Sequence, residues 1–294
     1  MNLCFIFPLS NFNSVNKFLL LILTIYVFSS FSFQPRKKIW VAIGDSITYL
    51  NDHKDETGFR VTKGYLTQVT EELSNVEYIN KGFNGWTAGG VAEKFDTLDI
   101  PVADCYTIFL GTNDWWNARP LGTIEDYINN DGNNSFFGSY RILIEKIKAI
   151  NPKADIILIT PMQRSDFVYI LDPKNNAFGS YRKRAGQSLE SFSLAVAKIG
   201  SIERLKVINL YADKALSLSK LVKFKRLRCL ETGYYKNYSL KQSIDKPYDP
   251  IEDEYPYPLE AMGMTYDGLH PSDKGNFVIA KHLISTFRSI GLDR

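Results

Sequence analysis

The chain has 294 residues, of which 45% are apolar and 23% charged, and Lys plus Arg exceed Asp plus Glu by 35 − 32 = 3. This is the composition of an ordinary globular protein, and it excludes a chain that is disordered over most of its length. Three Cys are too few for a disulfide-stapled scaffold, and the positive charge is spread without a dominant basic block, so we expect no nucleic-acid partner.

The N-terminal segment has the pattern of an export signal. Lys17 precedes an apolar run at residues 18–28, which is about half the roughly 20 residues that a membrane-spanning helix needs. Ser30 and Ser32 supply small residues at positions −3 and −1 of a cleavage site. We interpret residues 1–32 as a signal peptide, which predicts a secreted or periplasmic protein without a stable membrane span after cleavage. A retained anchor is the alternative.

Behind this segment, short runs rich in β-branched and aromatic residues alternate with longer segments of helical period. Mostly apolar short runs are typical of strands that are buried on both faces of a parallel sheet. We predict strands at residues 38–43, 76–80, 105–110, 155–160 and 206–210. We predict helices at residues 64–73, 87–95, 139–150, 180–199 and 274–290. This βαβ order predicts one α/β domain over residues 33–294, a three-layer α/β/α sandwich around a mainly parallel five-stranded sheet.

The two Cys of this domain give no reason to expect a cross-link. Cys105 lies inside the third predicted strand, and Cys229 lies in a basic, Leu-rich stretch. We therefore predict that both are unpaired, with one disulfide between them as the alternative.

The first candidate for chemistry follows the first strand, as Gly44-Asp45-Ser46. Ligands of such sheets bind outside the carboxyl ends of the strands, so the residues directly after each strand are candidates. Ser46 would begin a helix as an exposed nucleophile, and its backbone N–H would stabilise a developing oxyanion. The alternative is that Ser46 only caps the helix.

Two further blocks after strands offer hydrogen-bond donors. Gly85 stands in a Gly-rich loop after the second strand and would present its N–H to a ligand. Asn113 follows the third strand and offers a carboxamide donor to an oxyanion. For both residues, a role in turn formation is the alternative.

A carboxylate and an imidazole stand together near the C-terminus, as Asp267 and His270. His270 would accept the Ser46 proton and pass it to a leaving alcohol, while Asp267 would orient the ring. The other two His are poorer candidates, because His53 lies in a polar loop and His282 lies in the last helix as a surface or packing residue.

Together the four segments resemble the SGNH hydrolases, also called the GDSL family of esterases and lipases. The signature residues of that family are a Ser, a Gly, an Asn and a His in four separate blocks, and Ser46, Gly85, Asn113 and His270 match them in order. The resemblance spans roughly residues 38–290 and implies a flavodoxin-like sheet order. It implies that Ser46 is the nucleophile of a two-step acyl transfer assisted by His270 and Asp267. It further implies an oxyanion hole made by the Ser46 and Gly85 N–H groups and the Asn113 amide, with no metal and no organic cofactor.

Aromatic and charged residues beside these blocks bear on the substrate. We predict substrate contacts from Asp45, Trp86, Trp115, Trp116 and Arg164. Rings next to acids and amides are typical of a sugar-binding cleft, because the CH faces of a sugar stack on rings while its hydroxyls reach polar groups. Packing of the Trp side chains beneath the site is the alternative. Arg164 would bind an anionic group or, alternatively, the acids at residues 252–254.

Residues 229–264 form a Tyr- and acid-rich insertion directly before Asp267. Its four Pro resist regular structure. We predict that it forms a lid or a rim at the cleft, and the alternative is that it covers the edge of the sheet.

These observations predict a secreted serine esterase that removes O-acetyl or other short acyl groups from a carbohydrate. A second hypothesis is a lipase, lysophospholipase or thioesterase, which a long apolar acyl tunnel would favour. A hypothesis of another class is a non-catalytic carbohydrate-binding protein on the hydrolase scaffold, which the complete set of Ser46, Asp267 and His270 disfavours.

Overall fold

A five-stranded sheet forms the centre of the protein in the computed structural model, which describes residues 36–294. The strand order is β2-β1-β3-β4-β7, and every neighbouring pair is parallel. This is the flavodoxin-like order, and the predicted α/β fold with a mainly parallel sheet is confirmed. The strands are β1 Lys38–Gly44, β2 Val76–Gly82, β3 Cys105–Phe109, β4 Asp155–Ile159, β5 Phe167–Val168, β6 Asn176–Ala177, β7 Lys206–Ile208, β8 Lys225–Arg228 and β9 Tyr235–Tyr238.

Helices pack on both faces of the sheet. They are α1 Ser46–Tyr49, α2 Tyr65–Glu72, α3 Ala88–Lys94, α4 Thr112–Trp116, α5 Ile124–Asn129, α6 Phe136–Ile150, α7 Leu189–Glu203, α8 Leu218–Leu221, α9 Leu240–Ser243 and α10 Asp273–Ile290. Short 3-10 helices lie at Asp55–Thr57, Phe95–Thr97, Lys214–Leu216 and Leu259–Ala261. Residues Lys37–Arg294 form one compact unit.

The core has two layers because successive strand residues point to opposite faces. Trp40 and Ala42 of β1 belong to the layer under α2 and α10, where Trp40 meets Phe287 edge to face with ring centroids 5.0 Å apart. Val41 and Ile43 belong to the layer under α3, α6 and α7. Both faces of β1 are therefore buried, which accounts for its nearly continuous apolar sequence.

All five predicted strands of the sheet are present, with ends within two residues of the prediction. The helix predicted at residues 180–199 is present from Leu189 to Glu203 as α7, so only its predicted start is wrong. The Ser188 side chain accepts a hydrogen bond from the Ser191 N–H and caps the helix there. Before it, Gln187 is tied to a neighbouring loop, where its side chain accepts from the Leu121 N–H and donates to the Arg119 carbonyl. These contacts hold the chain in a non-helical path.

Helix α6, in contrast, begins earlier than predicted, at Phe136 rather than at residue 139. The side chain of Ser135 accepts a hydrogen bond from the Gly138 N–H, so the cap lies one turn before the predicted start. The C-terminal end at Ile150 agrees with the prediction.

Two antiparallel hairpins were not predicted from the sequence. One pairs β5 with β6, and the other pairs β8 with β9 at the start of the insertion. The insertion therefore contains a strand and the short helix α9 in addition to its irregular Pro-rich part. Strands of two to four residues are too short to show a reliable alternation of apolar and polar side chains.

Cys105 and Cys229 are both free, as predicted. Within residues 36–294, no helix has the length and apolar character that crossing a membrane requires. The predicted signal peptide at residues 1–32 lies outside the described residues.

Candidate active site

Ser46 stands at the carboxyl end of β1, as the first residue of α1. Asp45 is the N-cap of this helix, and its Oδ1 accepts a hydrogen bond from the Ile47 N–H at 3.0 Å. The turn between strand and helix is tight, since a Cβ at Gly44 would lie 2.0 Å from the Thr48 Oγ1. The small residue at position 44 therefore allows the helix to begin directly at the strand and presents Ser46 at the edge of the sheet.

The structure brings Ser46, His270 and Asp267 into one hydrogen-bonded chain. Ser46 Oγ lies 2.8 Å from His270 Nε2, and His270 Nδ1 lies 2.7 Å from Asp267 Oδ2. With the carboxylate as acceptor, Nδ1 donates and Nε2 is left to accept the hydroxyl proton of Ser46. The arrangement can remove the serine proton while an ester carbonyl is attacked.

The segment from Asp267 to His270 is a tight turn that aims both side chains. Asp267 Oδ1 accepts the N–H groups of Leu269 and His270, at 3.0 and 2.7 Å. Gly268 has a φ of +94°, and a Cβ there would lie 1.9 Å from the Asp166 carbonyl oxygen. Only glycine fits this position, because both the backbone conformation and the close approach exclude a side chain.

Ser46, Gly85 and Asn113 line a single cavity of about 210 Å³ together with His270. Asn113 Nδ2 donates to the Trp86 carbonyl at 3.0 Å, which fixes the amide and leaves its second N–H free to donate. The three predicted oxyanion donors thus come from the ends of three neighbouring strands and meet around the Ser46 hydroxyl.

The rim of this cavity includes residues that the sequence reasoning missed. The β5–β6 hairpin contributes Phe167, Tyr169, Asn175 and Ala177 to the wall. The sequence carried only a weak signal for this hairpin, the aromatic and β-branched residues 167–169 followed by the turn-forming residues of 172–176. The remaining wall residues are Leu50, Asn84, Trp116, Asn117, Arg164 and Leu269.

Three of the five predicted substrate contacts lie outside the cavity wall. Trp115 is completely buried in the core, where its Nε1 donates to the Gln187 carbonyl. Trp86 stacks on Phe83 with ring centroids 4.8 Å apart. Asp45 is buried as the helix cap. Trp116 and Arg164 do line the cavity. The prediction of a position at the cleft therefore holds for Trp116, whereas the alternative of packing beneath the site holds for Trp115.

The insertion supports the site from outside rather than forming its rim. No residue of 229–264 lines the cavity of the described structure. Tyr255 Oη donates to the Val168 carbonyl at 2.9 Å, and Tyr257 Oη donates to the Asp166 carbonyl at 2.5 Å. The prediction of a lid or rim is therefore wrong, because the insertion packs against the β5–β6 hairpin and supports it from outside the cavity.

The insertion acids do not bind Arg164. Asp253 pairs with Arg228 at 2.9 Å and Glu254 pairs with Arg226 at 3.2 Å. These two Arg residues come from β8, so their ion pairs hold residues 253 and 254 of the insertion against this strand.

The other His residues take structural positions. His53 stacks on Tyr49 with ring centroids 3.8 Å apart. His282 lies on α10, and its Nε2 is 2.5 Å from Asp213 Oδ2. His270 is therefore the imidazole that meets Ser46, as predicted from the residue types.

Burial shifts the pKa of three groups around the site. It raises the pKa of Asp45 to about 6, an effect that the hydrogen bond from the Ile47 N–H opposes. It likewise raises the pKa of Asp114, on the neighbouring helix α4, to about 6 against the hydrogen bond from the Ala88 N–H. Burial lowers the pKa of Arg164 to about 10, so its guanidinium remains charged at neutral pH.

A flavodoxin-like sheet with a serine, histidine and aspartate chain at its carboxyl edge defines a serine hydrolase with an α/β/α sandwich fold. The chain belongs to the GDSL-like lipase/acylhydrolase family, whose profile matches residues 42–222. It is thus a carboxylic ester hydrolase, and the resemblance inferred from the four blocks is confirmed. No group of residues in 36–294 has the His, Cys, Asp and Glu clustering of a metal site.

Solved structures agree with this assignment. A crystal structure described as a possible lipase from Chitinophaga pinensis DSM 2588 is 56% identical, with a TM-score of 0.86 over 87% of this chain and 100% of that chain. A protein from Lactobacillus plantarum shares the fold at 21% identity, with a TM-score of 0.58 over 86% and 97% of the two chains. A comparison with curated protein sequences found no significant match.

Proposed function

We propose that this hydrolase removes O-acetyl or other short acyl groups from a carbohydrate. The observation that carries the proposal is the size and lining of the cavity at Ser46. Its volume of about 210 Å³ is small, since pockets for drug-sized ligands begin near roughly 300 Å³. Four Asn side chains line it, which suits hydroxyl-rich ligands better than a long alkyl chain: Asn84, Asn113, Asn117 and Asn175.

In the proposed mechanism, Ser46 Oγ attacks the ester carbonyl while His270 Nε2 takes the hydroxyl proton. The oxyanion of the tetrahedral intermediate accepts hydrogen bonds from the Ser46 and Gly85 N–H groups and from Asn113 Nδ2. His270 then gives its proton to the leaving sugar hydroxyl. Water, deprotonated by His270, then attacks the acyl-enzyme, and the Ser46 oxygen leaves with the proton returned by His270 as acetate is released. Asp267 stabilises the charged imidazole in both steps.

Aromatic side chains at the cavity support a sugar as the alcohol part of the ester. Trp116, Phe167 and Tyr169 line the same wall as the Asn amides. Rings of this kind offer apolar faces to the CH groups of a sugar, while the amides reach its hydroxyls.

A lipase or thioesterase is the second candidate, because the 56% identical structure from Chitinophaga pinensis is described as a possible lipase. Such an activity needs room for an extended acyl chain. The hypothesis of a non-catalytic carbohydrate-binding protein is disfavoured, because the family consists of hydrolases and the Ser46 hydroxyl is hydrogen-bonded to His270.

The test is hydrolysis of p-nitrophenyl esters from acetate to palmitate, with acetylated xylan and acetylated pectin as polymeric substrates. We expect activity on the shortest esters and release of acetate from a polysaccharide. Ser46→Ala removes this activity, whereas the exposed serine variant Ser219→Ala keeps it. A preference for acyl chains of about eight carbons or more contradicts the proposal and favours the lipase. Activity that persists in Ser46→Ala contradicts the mechanism.

We also propose that the protein is exported, on the basis of the Lys17, apolar-run and Ser30/Ser32 pattern of residues 1–32. The expected product after expression of the full chain is a form that begins after Ser32, found outside the cytoplasm. N-terminal sequencing checks this, and a chain that keeps residues 1–32 at the membrane contradicts it.

A further inference from the structure

Arg164 is a buried cation in the wall of the active-site cavity. Its side chain is only 1% exposed, and its guanidinium carbon lies near the rings of both Trp115 and Trp116, at 5.2 and 4.8 Å from their centroids. The two indoles hold the guanidinium plane in one place by cation–π contact. Arg164 lines the same cavity as Ser46 and His270.

This cation has few protein partners. Nη2 donates to the Phe178 carbonyl at 2.9 Å, while Nε is buried and has no hydrogen-bond partner. Among residues 36–294, no carboxylate forms an ion pair with Arg164. A buried charge without a counter-charge is strongly destabilising unless something else in its surroundings compensates it.

Asp166 and Asp267, the two acids whose charges stabilise the charged form of Arg164, are hydrogen-bonded to other groups. Asp267 accepts from His270, and Asp166 pairs with Lys225 at 3.0 Å. Asp253 and Glu254 of the insertion pair with Arg228 and Arg226. No carboxylate of residues 36–294 therefore forms a direct ion pair with Arg164, and a ligand carboxylate in the cavity can supply one.

We infer that the substrate carbohydrate is acidic, and that Arg164 binds the carboxylate of a uronic acid residue near the ester. This inference rests on the proposed function. The planar guanidinium matches a carboxylate, which can accept two parallel N–H bonds from it. A uronate is the residue by which a saccharide chain itself carries such a group, and Trp116 lines the same cavity wall beside the guanidinium.

The test compares acetylated oligogalacturonides with the methyl esters of the same oligosaccharides, matched in length and acetylation. Methyl esterification removes the charge and leaves the acetyl ester unchanged. We expect the protein to deacetylate the acid with a kcat/KM about 10–100-fold higher than the methyl ester, mainly through a lower KM, as for hydrogen bonds to a charged group.

Two variants assign the preference to Arg164. Arg164→Met should lower kcat/KM on the acid much more than on the methyl ester and so remove the preference, and Arg164→Lys should keep part of it because the charge remains without the fork. Arg184→Met is the matched control. Arg184 lies 4.7 Å from the ring of the same Trp116 and donates to its carbonyl, but it is exposed and does not line the cavity.

The comparison of acid and methyl ester on the unaltered protein does not depend on the folding of any variant. Equal kcat/KM for the two substrates overturns the inference and leaves the proposed function standing. An equal loss on both substrates in Arg164→Met also overturns it, because Arg164 then only supports Trp116. If no acetylated saccharide, acidic or neutral, releases acetate in a Ser46-dependent way, the proposed function fails and the inference fails with it.

Discussion

The two neighbouring Trp residues of α4 lie in different environments, and only one of them reaches the site. Trp115 packs into the core, whereas Trp116 reaches the cavity wall. Successive helical residues point about 100° apart, so only one of the two adjacent rings reaches the cavity although both contact Arg164. The sequence placed both beside Asn113, and only the orientation of the helix on the sheet determines which of them meets a substrate.

Asn113→Ala tests the oxyanion hole at the level of one amide. We expect kcat on p-nitrophenyl acetate to fall about 10²–10³-fold with little change in KM, because the amide binds charge that develops only in the transition state. Steady-state kinetics measure both constants. The exposed variant Asn237→Ala serves as the control. A rise in KM at unchanged kcat would show that Asn113 only binds the substrate.

At the scale of elements, the loops that follow the sheet strands form the site, and contacts among these loops hold them in place. The loop after β4 carries Arg164 and then forms the β5–β6 hairpin, whose residues line the cavity beside His270. Phe167 of this hairpin meets the His270 ring edge to face at 5.3 Å. The hairpin and the turn that follows Asp267 therefore depend on each other.

Replacement of Gly268 by Ala should disrupt this junction. An added Cβ meets the Asp166 backbone oxygen, and the φ of +94° is unfavourable for alanine. We expect a loss of about 2 kcal/mol or more in the free energy of unfolding, together with a strong loss of esterase activity. Urea unfolding and p-nitrophenyl acetate hydrolysis measure the two effects.

Gly233→Ala is the matched control for this change. Gly233 has a φ of +74°, but a Cβ there would meet nothing within 4 Å. It should cost only the backbone term of about 1 kcal/mol and leave the activity unchanged. Similar losses of activity in both variants would refute a specific role for the turn at Gly268.

At the scale of the whole molecule, the insertion and the sheet act on the site from opposite sides. Tyr255 and Tyr257 of the insertion hydrogen-bond the backbone of the β5–β6 hairpin from behind. The sheet presents Ser46, Gly85 and Asn113 from below, at the ends of β1, β2 and β3. The insertion therefore contributes to the cavity by fixing the hairpin in position.

Two buried acids near this edge make the stability of the whole protein depend on pH. Burial raises the pKa of Asp45 and Asp114 from 3.8 to about 6. Between about pH 4 and pH 6 the folded state holds protons that the unfolded chain has lost, so the free energy of unfolding falls as pH rises. Ionisation of these acids inside the fold is the physical cause.

Asp114→Asn should remove part of this dependence. Its pKa shift of about two units corresponds to about 3 kcal/mol, and the unfolding free energy of the variant relative to wild type should rise by up to that amount from about pH 4 to pH 7. Urea unfolding across this range measures the difference between the two proteins. A difference that stays constant with pH would contradict the assignment to Asp114.

The parts predictable from the sequence were those that local patterns encode. The five sheet strands are short apolar runs buried on both faces, and Ser46, Gly85 and Asn113 follow three of them directly. Since the carboxyl ends of parallel strands meet at one edge, order along the chain was enough to bring these residues together. The spacing of Asp267 and His270 likewise predicted a pair that one tight turn creates.

Only the tertiary structure decided the path of residues 180–188, the burial of Trp115, and the position of the insertion behind the β5–β6 hairpin. Each depends on contacts between residues far apart in the chain, such as Gln187 with Leu121 and Tyr257 with Asp166. The absence of a direct ion pair at Arg164 within residues 36–294 is of the same kind, because Lys225 and His270 hold the acids nearest to it. Local periodicity carries no information about such contacts, whereas the packing of the sheet, hairpins and insertion determines them.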